Sequence, residues 1–479
     1  MTVHDIEPPA TAFAAPFAFR DIGDGCVVTN PAGQFAFLAL EELAAFVEGR
    51  LDEHSDAYAR LDGRNFIRKS LDTEDLANRI AKRRAYLRQG PWQHDLLVTL
   101  RHPGTRALAA GYDRGHDATD ADMSAGTAEH CVDLALLSTA PAVTLVFRGG
   151  EPLLSFDVMR HAVEYANDRN DAIRKDLGIS LVSDLSAMDD EKLDWLVRNK
   201  VHVVAAVDGP APVHDQLHSL GSRSAYAETA RWIGRLREAG LEHVDATFAL
   251  TRHALGHADE IIDSYRELGI RSMMVELIPP ELASGHGAPR EEALGLYLEL
   301  VDRMLAGAKQ GQELAERLAS VLLSRILQQH DPNYLGLRSP AGGGTGGLVY
   351  GHDGTVYPSE HGRRAHLDGD DLFVLGDVEH SGYDGILRHE TVSAMLVASM
   401  LEANPGCALC AYQPYCGVLP DENHRLQGSL HGRVRDSYRA RILVNIQDHL
   451  FRLIRDADPA VMAVLKRWSA PDEHRHFVV

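Results

Sequence analysis

No run of eighteen apolar residues occurs anywhere in the sequence, and its start, "MTVHDIEPPATAFAAPFAF", lacks a basic segment followed by an apolar block. Neither a membrane span nor a secretory signal is indicated, and a cytoplasmic location is expected. Cysteine is scarce: five in 479 residues, an odd number, three of them clustered. That pattern argues against a secreted disulfide framework, whereas a reducing compartment suits thiolates that bind metal. Positive charge is in deficit. A formal net charge of −21 repels a phosphate backbone, and no basic run interleaved with aromatics overcomes it locally, so nucleic acid is not expected as a partner. Repeats of the solenoid or propeller kind are absent too.

What is there reads as an ordinary globular chain, 45% hydrophobic and 24% charged, too long for one core and so divided into about two to four domains. Residues 1–90 carry short strand-like runs, "FAFRDI", "CVVT" and "QFAFLAL", around the turn "NPAG", then the helix "EELAAFVEG". Strands about a tight turn on short helices predict a winged-helix-like module. Its strand edge takes up an extended peptide by β-augmentation, or the module is a small cap without a ligand. A charged helical linker, "TEDLANRIAKRRAYLRQ", ends this part. Through residues 91–310 six apolar strands, "HDLLVTL", "AVTLVFR", "GISLVS", "VHVVAAV", "HVDATFAL" and "RSMMVEL", alternate with amphipathic helices. Strands this apolar in βα order predict an α/β fold with a parallel, helix-covered sheet, a partial (β/α)6 barrel of the TIM type. Residues 311–479 hold "LVY" and "TVY" around Asp353-Gly354, a β-hairpin signal, then the cysteine cluster and a last helix, "SYRARILVNIQDHLFRLI".

Two motifs carry chemistry. The second barrel strand runs into "RGGEP", residues 148–152, where glycines let the backbone approach a ligand closely and Glu151 meets a cationic group. Barrels collect ligand groups at this end of their strands. In "CALCAYQPYCGVLP", residues 407–420, Cys407 and Cys410 share a turn and Cys416 folds back, so three thiolates can surround one metal ion. The fourth ligand is then a histidine such as His361, His424 or His431 on zinc, or a non-cysteine ligand on a cluster; the alternative is a loop of reduced thiols held by packing. Asp208 and Glu276 end strands on the same face, as pocket lining or as caps of loop amides. The loop "DRGHDATDAD" offers His116 with Asp113, Asp117, Asp120 and Asp122, which with His102 make a two-histidine, one-carboxylate iron site or simply a solvated acidic loop.

In order and spacing, "FRGGEPLLSFDVMRHAVEYAN", "DDEKLDWLVRNKVHVVAAVDGPAPVHD" and "CALCAYQPYCG" resemble radical S-adenosylmethionine proteins with a SPASM domain, and more narrowly the maturases of the His-Xaa-Ser peptide system, over roughly residues 15–455. The resemblance implies that Gly149, Gly150, Glu151 and Pro152 stand where the family holds the methionine end of S-adenosylmethionine. It also implies a C-x3-C-x2-C motif after the first barrel strand, whose thiolates bind a [4Fe–4S] cluster. Here "LLVTLRHPGTRALAAGYD" puts His102, Arg106 and Ala109 at those positions, and no cysteine lies between Cys26 and Cys131. Further cysteines of similar SPASM maturases fall on Ala341, Ser359, Leu419 and Ala440, leaving Cys407, Cys410 and Cys416.

Iron–sulfur clusters of this type need cysteine thiolates. The resemblance therefore implies a degenerate member without the radical cluster, with at most residual S-adenosylmethionine binding. Cys407, Cys410 and Cys416 would hold zinc or a remnant auxiliary iron–sulfur cluster. The expected function is that of a pseudoenzyme in the maturation of a ribosomally made peptide, binding the precursor peptide or a companion maturase. The alternative is a true enzyme of another class, with a new metal or cofactor in the emptied barrel.

Overall fold

The computed structural model describes residues 13–106, 122–241, 244–433 and 437–470. Strands β1 (Ala18–Asp21), β2 (Cys26–Thr29) and β3 (Phe35–Leu38) form an antiparallel sheet in that order, so β1 and β3 are its outer strands. Helices Leu40–Val47 and Asp56–Asp62 close a small core on it through Val28, Leu38, Leu43, Phe46, Leu61 and Phe66. Side-chain caps start the helices that follow: Ser55 accepts from the Tyr58 amide, and Asp72 from the Asp75 amide ahead of helix Thr73–Arg83.

The second sheet has ten strands. Six of them are the expected barrel strands: β4 (Gln93–Thr99), then, after the two-residue β5 (Thr105–Arg106), β6 (Ala142–Gly149), β7 (Asp176–Ser183) and β8 (His202–Ala206). After the two-residue β9 (His218–Ser219) come β10 (Val244–Ala249), β11 (Ser272–Glu276) and the short β12 (Ala315–Glu316). The pairings β4–β6, β6–β7, β7–β8, β8–β10, β10–β11 and β11–β12 are all parallel. Such strands are covered on both faces, which is why they read as nearly continuous apolar runs. β4 and β11 are not partners, so the sheet is open.

The rest of the sheet comes from the C-terminal part. Strands β13 (Gly347–Tyr350) and β14 (Thr355–Tyr357) make the expected hairpin, with Gly354 at φ +86° in its turn, and β15 (Gly376–Asp377) adds a short third strand. Unforeseen in the sequence, β13 pairs in parallel with β4, Gly347 opposite Gln93 and Tyr350 opposite Leu96, so the sheet runs unbroken past residue 310. His94, fully buried, bonds the Tyr350 hydroxyl across this seam at 2.8 Å.

The N-terminal sheet is fastened to the cysteine segment. Thr29 donates its hydroxyl to the Ala411 carbonyl (2.7 Å) and Tyr415 to the Gly33 carbonyl (2.9 Å). Arg20 meets both oxygens of Asp448, in helix Tyr438–Asp456, at 2.9 and 2.7 Å, and Tyr412 donates to the same carboxylate at 2.6 Å. Among the described residues no helix is long and apolar enough to cross a membrane.

Candidate functional site

The C-terminal ends of β6, β7 and β8 bring buried acids and histidines together. At the end of β6 the backbone of the loop after β4 lies hard against the glycines. A Cβ on Gly149, whose φ is +144°, would fall 1.9 Å from the Thr99 oxygen, and one on Gly150 would fall 2.2 Å from the Arg101 oxygen. The amides of Gly150 and Glu151 donate to those same carbonyls at 2.9 and 2.7 Å. Glycine is required here by the approach of the chain's own loop.

The Glu151 side chain turns inward and is fully buried. It accepts from the Ser183 hydroxyl (2.8 and 2.9 Å) and from the amides of Leu153 (3.0 Å) and Asp184 (3.1 Å). Burial, and then the Asp184 charge, push its carboxyl well above the ordinary range. Pro152, also buried, opens a short turn ahead of helix Phe156–Ile173. Asp184 in turn bonds His102 Nε2 at 2.5 Å. Because His102 Nδ1 accepts from the Gly104 amide at 3.1 Å, Nε2 carries the proton and donates.

Next to this group lies a second one. Asp208, just past β8, takes the Ala249 amide on Oδ1 (2.7 Å) and His218 Nε2 on Oδ2 (2.6 Å), and its own amide donates to His214 Nδ1 (3.0 Å). The two imidazoles stack with centroids 4.2 Å apart and planes at 10°. His214 Nε2 and His218 Nδ1 are buried without a hydrogen-bond partner. One ligating atom from each of Asp208, His214 and His218 lies within 4.8 Å of the other two, and among the described residues no other set of three His, Cys, Asp or Glu donors is so close. Burial, and then the charge of His218, lower His214 to about 4, so it is neutral at pH 7. For Asp208 burial pushes upward, but the hydrogen bond and charge of His218 outweigh it and hold the carboxyl below its usual value. The two groups adjoin because β5 pairs antiparallel with β9, laying the loop that follows His102 along His218 and Ser219.

Asp208 is among the residues the sequence singles out, but His214 and His218 are not. Their signal was the spacing H-x3-H, which stacks two imidazoles on one side of a helical turn. Of the other expected residues, Asp122 takes Arg101 in an ion pair and the Thr99 hydroxyl at 2.6 Å, which ties down the loop after β4. Glu276 ends β11, and its carbonyl accepts from the Leu250 amide at 3.0 Å. Ala109, Asp113, His116, Asp117 and Asp120 lie outside the described residues, as does the side chain of Arg106.

Cys407, Cys410 and Cys416 are half-buried. The Cys410 amide donates to the Cys407 carbonyl at 2.9 Å, making the expected tight turn. Burial, followed by the neighbouring Cys410 and Cys407, pushes the Cys416 thiol up to about 12. Cys407 and Cys416 pack with Leu401, Val418 and Ala440. His424 is engaged with Asp370 at 2.6 Å, His361 Nε2 stands 3.7 Å from Glu422, and His431 is exposed. Ala341, Ser359 and Leu419 line a different place, a cavity of about 140 Å³ that Asp95, Arg148, Glu360 and Asp421 also face. The four further positions at which the resemblance expects cysteine thus fall into two groups, Ala341, Ser359 and Leu419 around this cavity and Ala440 beside Cys407 and Cys416.

No family model and no curated relative matches the sequence. Solved structures match in fold. The structure of hexahistidine-tagged anSMEcpe with bound AdoMet has a TM-score of 0.65 at 15% identity, covering 81% of this chain and 99% of that one. Native anSMEcpe with bound AdoMet and Cp18Cys peptide gives 0.64 at 14%, covering 79% and 99%. Streptococcus suis SuiB bound to precursor peptide SuiA gives 0.54 at 12%, covering 89% and 99%. At these identities the likeness is one of fold.

Proposed function

We propose that the chain is a pseudoenzyme on a radical-S-adenosylmethionine-like scaffold, acting as a binding partner in the maturation of a ribosomally made peptide. The observation that carries this reading is the loop after β4. Where the family's cluster motif would lie, His102 is hydrogen-bonded to Asp184, and the loop carbonyls of Thr99 and Arg101 take the amides of Gly150 and Glu151. The nearest cysteines in sequence, Cys26 and Cys131, are buried in β2 and in helix Ala125–Leu136. His102, Arg106 and Ala109 supply no thiolate, so these residues do not fit a [4Fe–4S] cluster. The buried Glu151 carboxyl is taken up by the Ser183 hydroxyl and by the amides of Leu153 and Asp184.

Support for a peptide partner comes from fold and from edges. The neighbours SuiB and anSMEcpe share the fold in structures that contain a precursor peptide and the Cp18Cys peptide. This chain's N-terminal sheet ends in outer strands β1 and β3, where an extended peptide adds by main-chain hydrogen bonds. After anaerobic reconstitution with iron and sulfide, the protein is expected to form no 5′-deoxyadenosine from S-adenosylmethionine above a no-enzyme blank. Formation that Glu151→Ala abolishes would overturn the reading. With a precursor leader present, amide exchange is expected to slow in residues 18–21 or 35–38. Unchanged exchange at saturating leader moves the peptide site elsewhere.

A second reading, an enzyme of another class with a metal of its own in the barrel, is favoured by one feature: the Asp208, His214 and His218 group.

A further inference from the structure

We infer that Asp208, His214 and His218 bind one divalent transition-metal ion at the mouth of the barrel. Two imidazoles and one carboxylate suit zinc, iron(II), cobalt(II) or nickel(II), whereas magnesium and calcium prefer oxygen throughout. Such a site is compatible with a chain that turns substrate over and with one that does not.

Both imidazoles face Asp208 with a different nitrogen. His214 presents the Nδ1 lone pair that now accepts the Asp208 amide, and His218 presents Nε2, which now donates to Oδ2. An ion among these three atoms takes the place of the proton between His218 and Asp208. That proton moves to His218 Nδ1, His214 keeps its proton on Nε2, and the Asp208 amide gives up its bond to His214 Nδ1, so ligation needs a change of tautomer in one ring and the release of one backbone hydrogen bond. The carboxylate is already aimed, because Ala249 holds Oδ1 from outside and leaves Oδ2 for the ion. Metal–ligand bonds of about 2.0–2.2 Å set ligand atoms roughly 3 Å apart, so the two rings, now stacked with planes at 10°, turn out of parallel to aim both lone pairs at one ion.

The competing account is a plain core packing of two histidines on an aspartate. It draws three ligand atoms within 4.8 Å of one another in the interior without using them, while His214 Nε2 and His218 Nδ1 stay without partners in either account. It also stacks two imidazoles where apolar side chains would fill the space without desolvating four ring nitrogens. The group shares no residue with the cysteine segment, whose thiols belong to Cys407, Cys410 and Cys416.

The test uses full-length protein in which Cys407, Cys410 and Cys416 are replaced by serine, so that thiolates cannot supply the ligands. After loading with zinc and dialysis against buffer, about one ion per chain is expected to remain. X-ray absorption at the zinc edge is expected to show two imidazoles at roughly 2.0–2.1 Å. Asp208→Asn and His218→Gln should each weaken zinc at least about a hundredfold, since loss of outer-sphere partners alone costs about 10–100-fold. A ligand shell without imidazole, no retained ion, or full affinity in folded His218→Gln would overturn the inference. Should either variant fail to fold, the absorption spectrum of the serine-substituted protein decides alone.

Discussion

Glu151 is a carboxyl group surrounded by donors and one further carboxyl, with no cation among its hydrogen-bond partners. Two carboxylates this close cannot both ionise without cost, and here burial adds to the repulsion, so Glu151 holds its proton through the range where an exposed glutamate has lost it. The sign follows from linkage. Its pKa is raised on folding, so the stability it contributes is full below the ordinary glutamate value and is lost as pH rises through the folded value. Glu151→Gln removes that loss, but its amide nitrogen cannot accept, so the Leu153 or Asp184 amide goes unpaired at a cost of about 1–3 kcal/mol. The variant is therefore expected to be less stable than the unsubstituted protein at pH 5, with the deficit shrinking toward pH 8. Urea unfolding at both values measures it. A deficit that is constant or grows with pH would mean that the Glu151 carboxylate is ionised and used.

At the scale of elements, the cysteine segment serves as a fastening as much as a metal candidate. Tyr412 and Tyr415 are fully buried beside Phe451 and hold the N-terminal sheet through Asp448 and Gly33. Asp448 accepts from Tyr412 and from Nε and Nη2 of a half-exposed Arg20, so solvent weakens the charged part and the buried tyrosine bond carries more weight. Asp448→Ala is expected to lower stability by about 2–3 kcal/mol. Amide exchange in residues 26–38 should rise with it, and exchange unchanged there would show that the aromatic stack alone holds the module. The parallel strands were legible in the sequence because most are buried along most of their length and bounded by loop residues, as in "AVTLVFRGG". The pairing of β13 with β4 was not, since it joins residues some 250 positions apart and no local pattern encodes a partner. The two-residue β5 and β9 carry no alternation at all, yet they bring the loop of His102 alongside His218. The metal candidate was half legible for the same reason: Asp208 stood out at a strand end, while its histidine partners needed the turn that follows to show that they face it.

For the whole molecule the continuous sheet matters most. Leu97 of β4 packs with Val349 and Tyr357 of the hairpin in one buried cluster, and the main core joins barrel residues such as Leu96 and Leu145 to Tyr350, Ile442 and Phe451. A chain cut at residue 310 would uncover the β13-facing edge of β4, leaving the Gln93–Leu96 backbone unpaired on that side and His94 without the Tyr350 hydroxyl. Such an edge presents a row of unpaired backbone N–H and C=O groups, a template on which other chains associate. The fragment 1–310 is therefore expected to be aggregated or degraded by protease under conditions in which the full chain is resistant, and the full chain to lose barrel and hairpin in one transition. Tryptophan reports on both parts, since Trp195 and Trp232 sit in helices Asp190–Arg198 and Ala225–Glu238 beside the parallel strands, and Trp468 in helix Pro459–Trp468, which follows the expected last one. Single-tryptophan variants with coincident urea midpoints would bear this out. A Trp468 signal lost at lower urea than that of Trp195 would show that the C-terminal part unfolds by itself and that the β4–β13 seam is weaker than its hydrogen bonds and burial require.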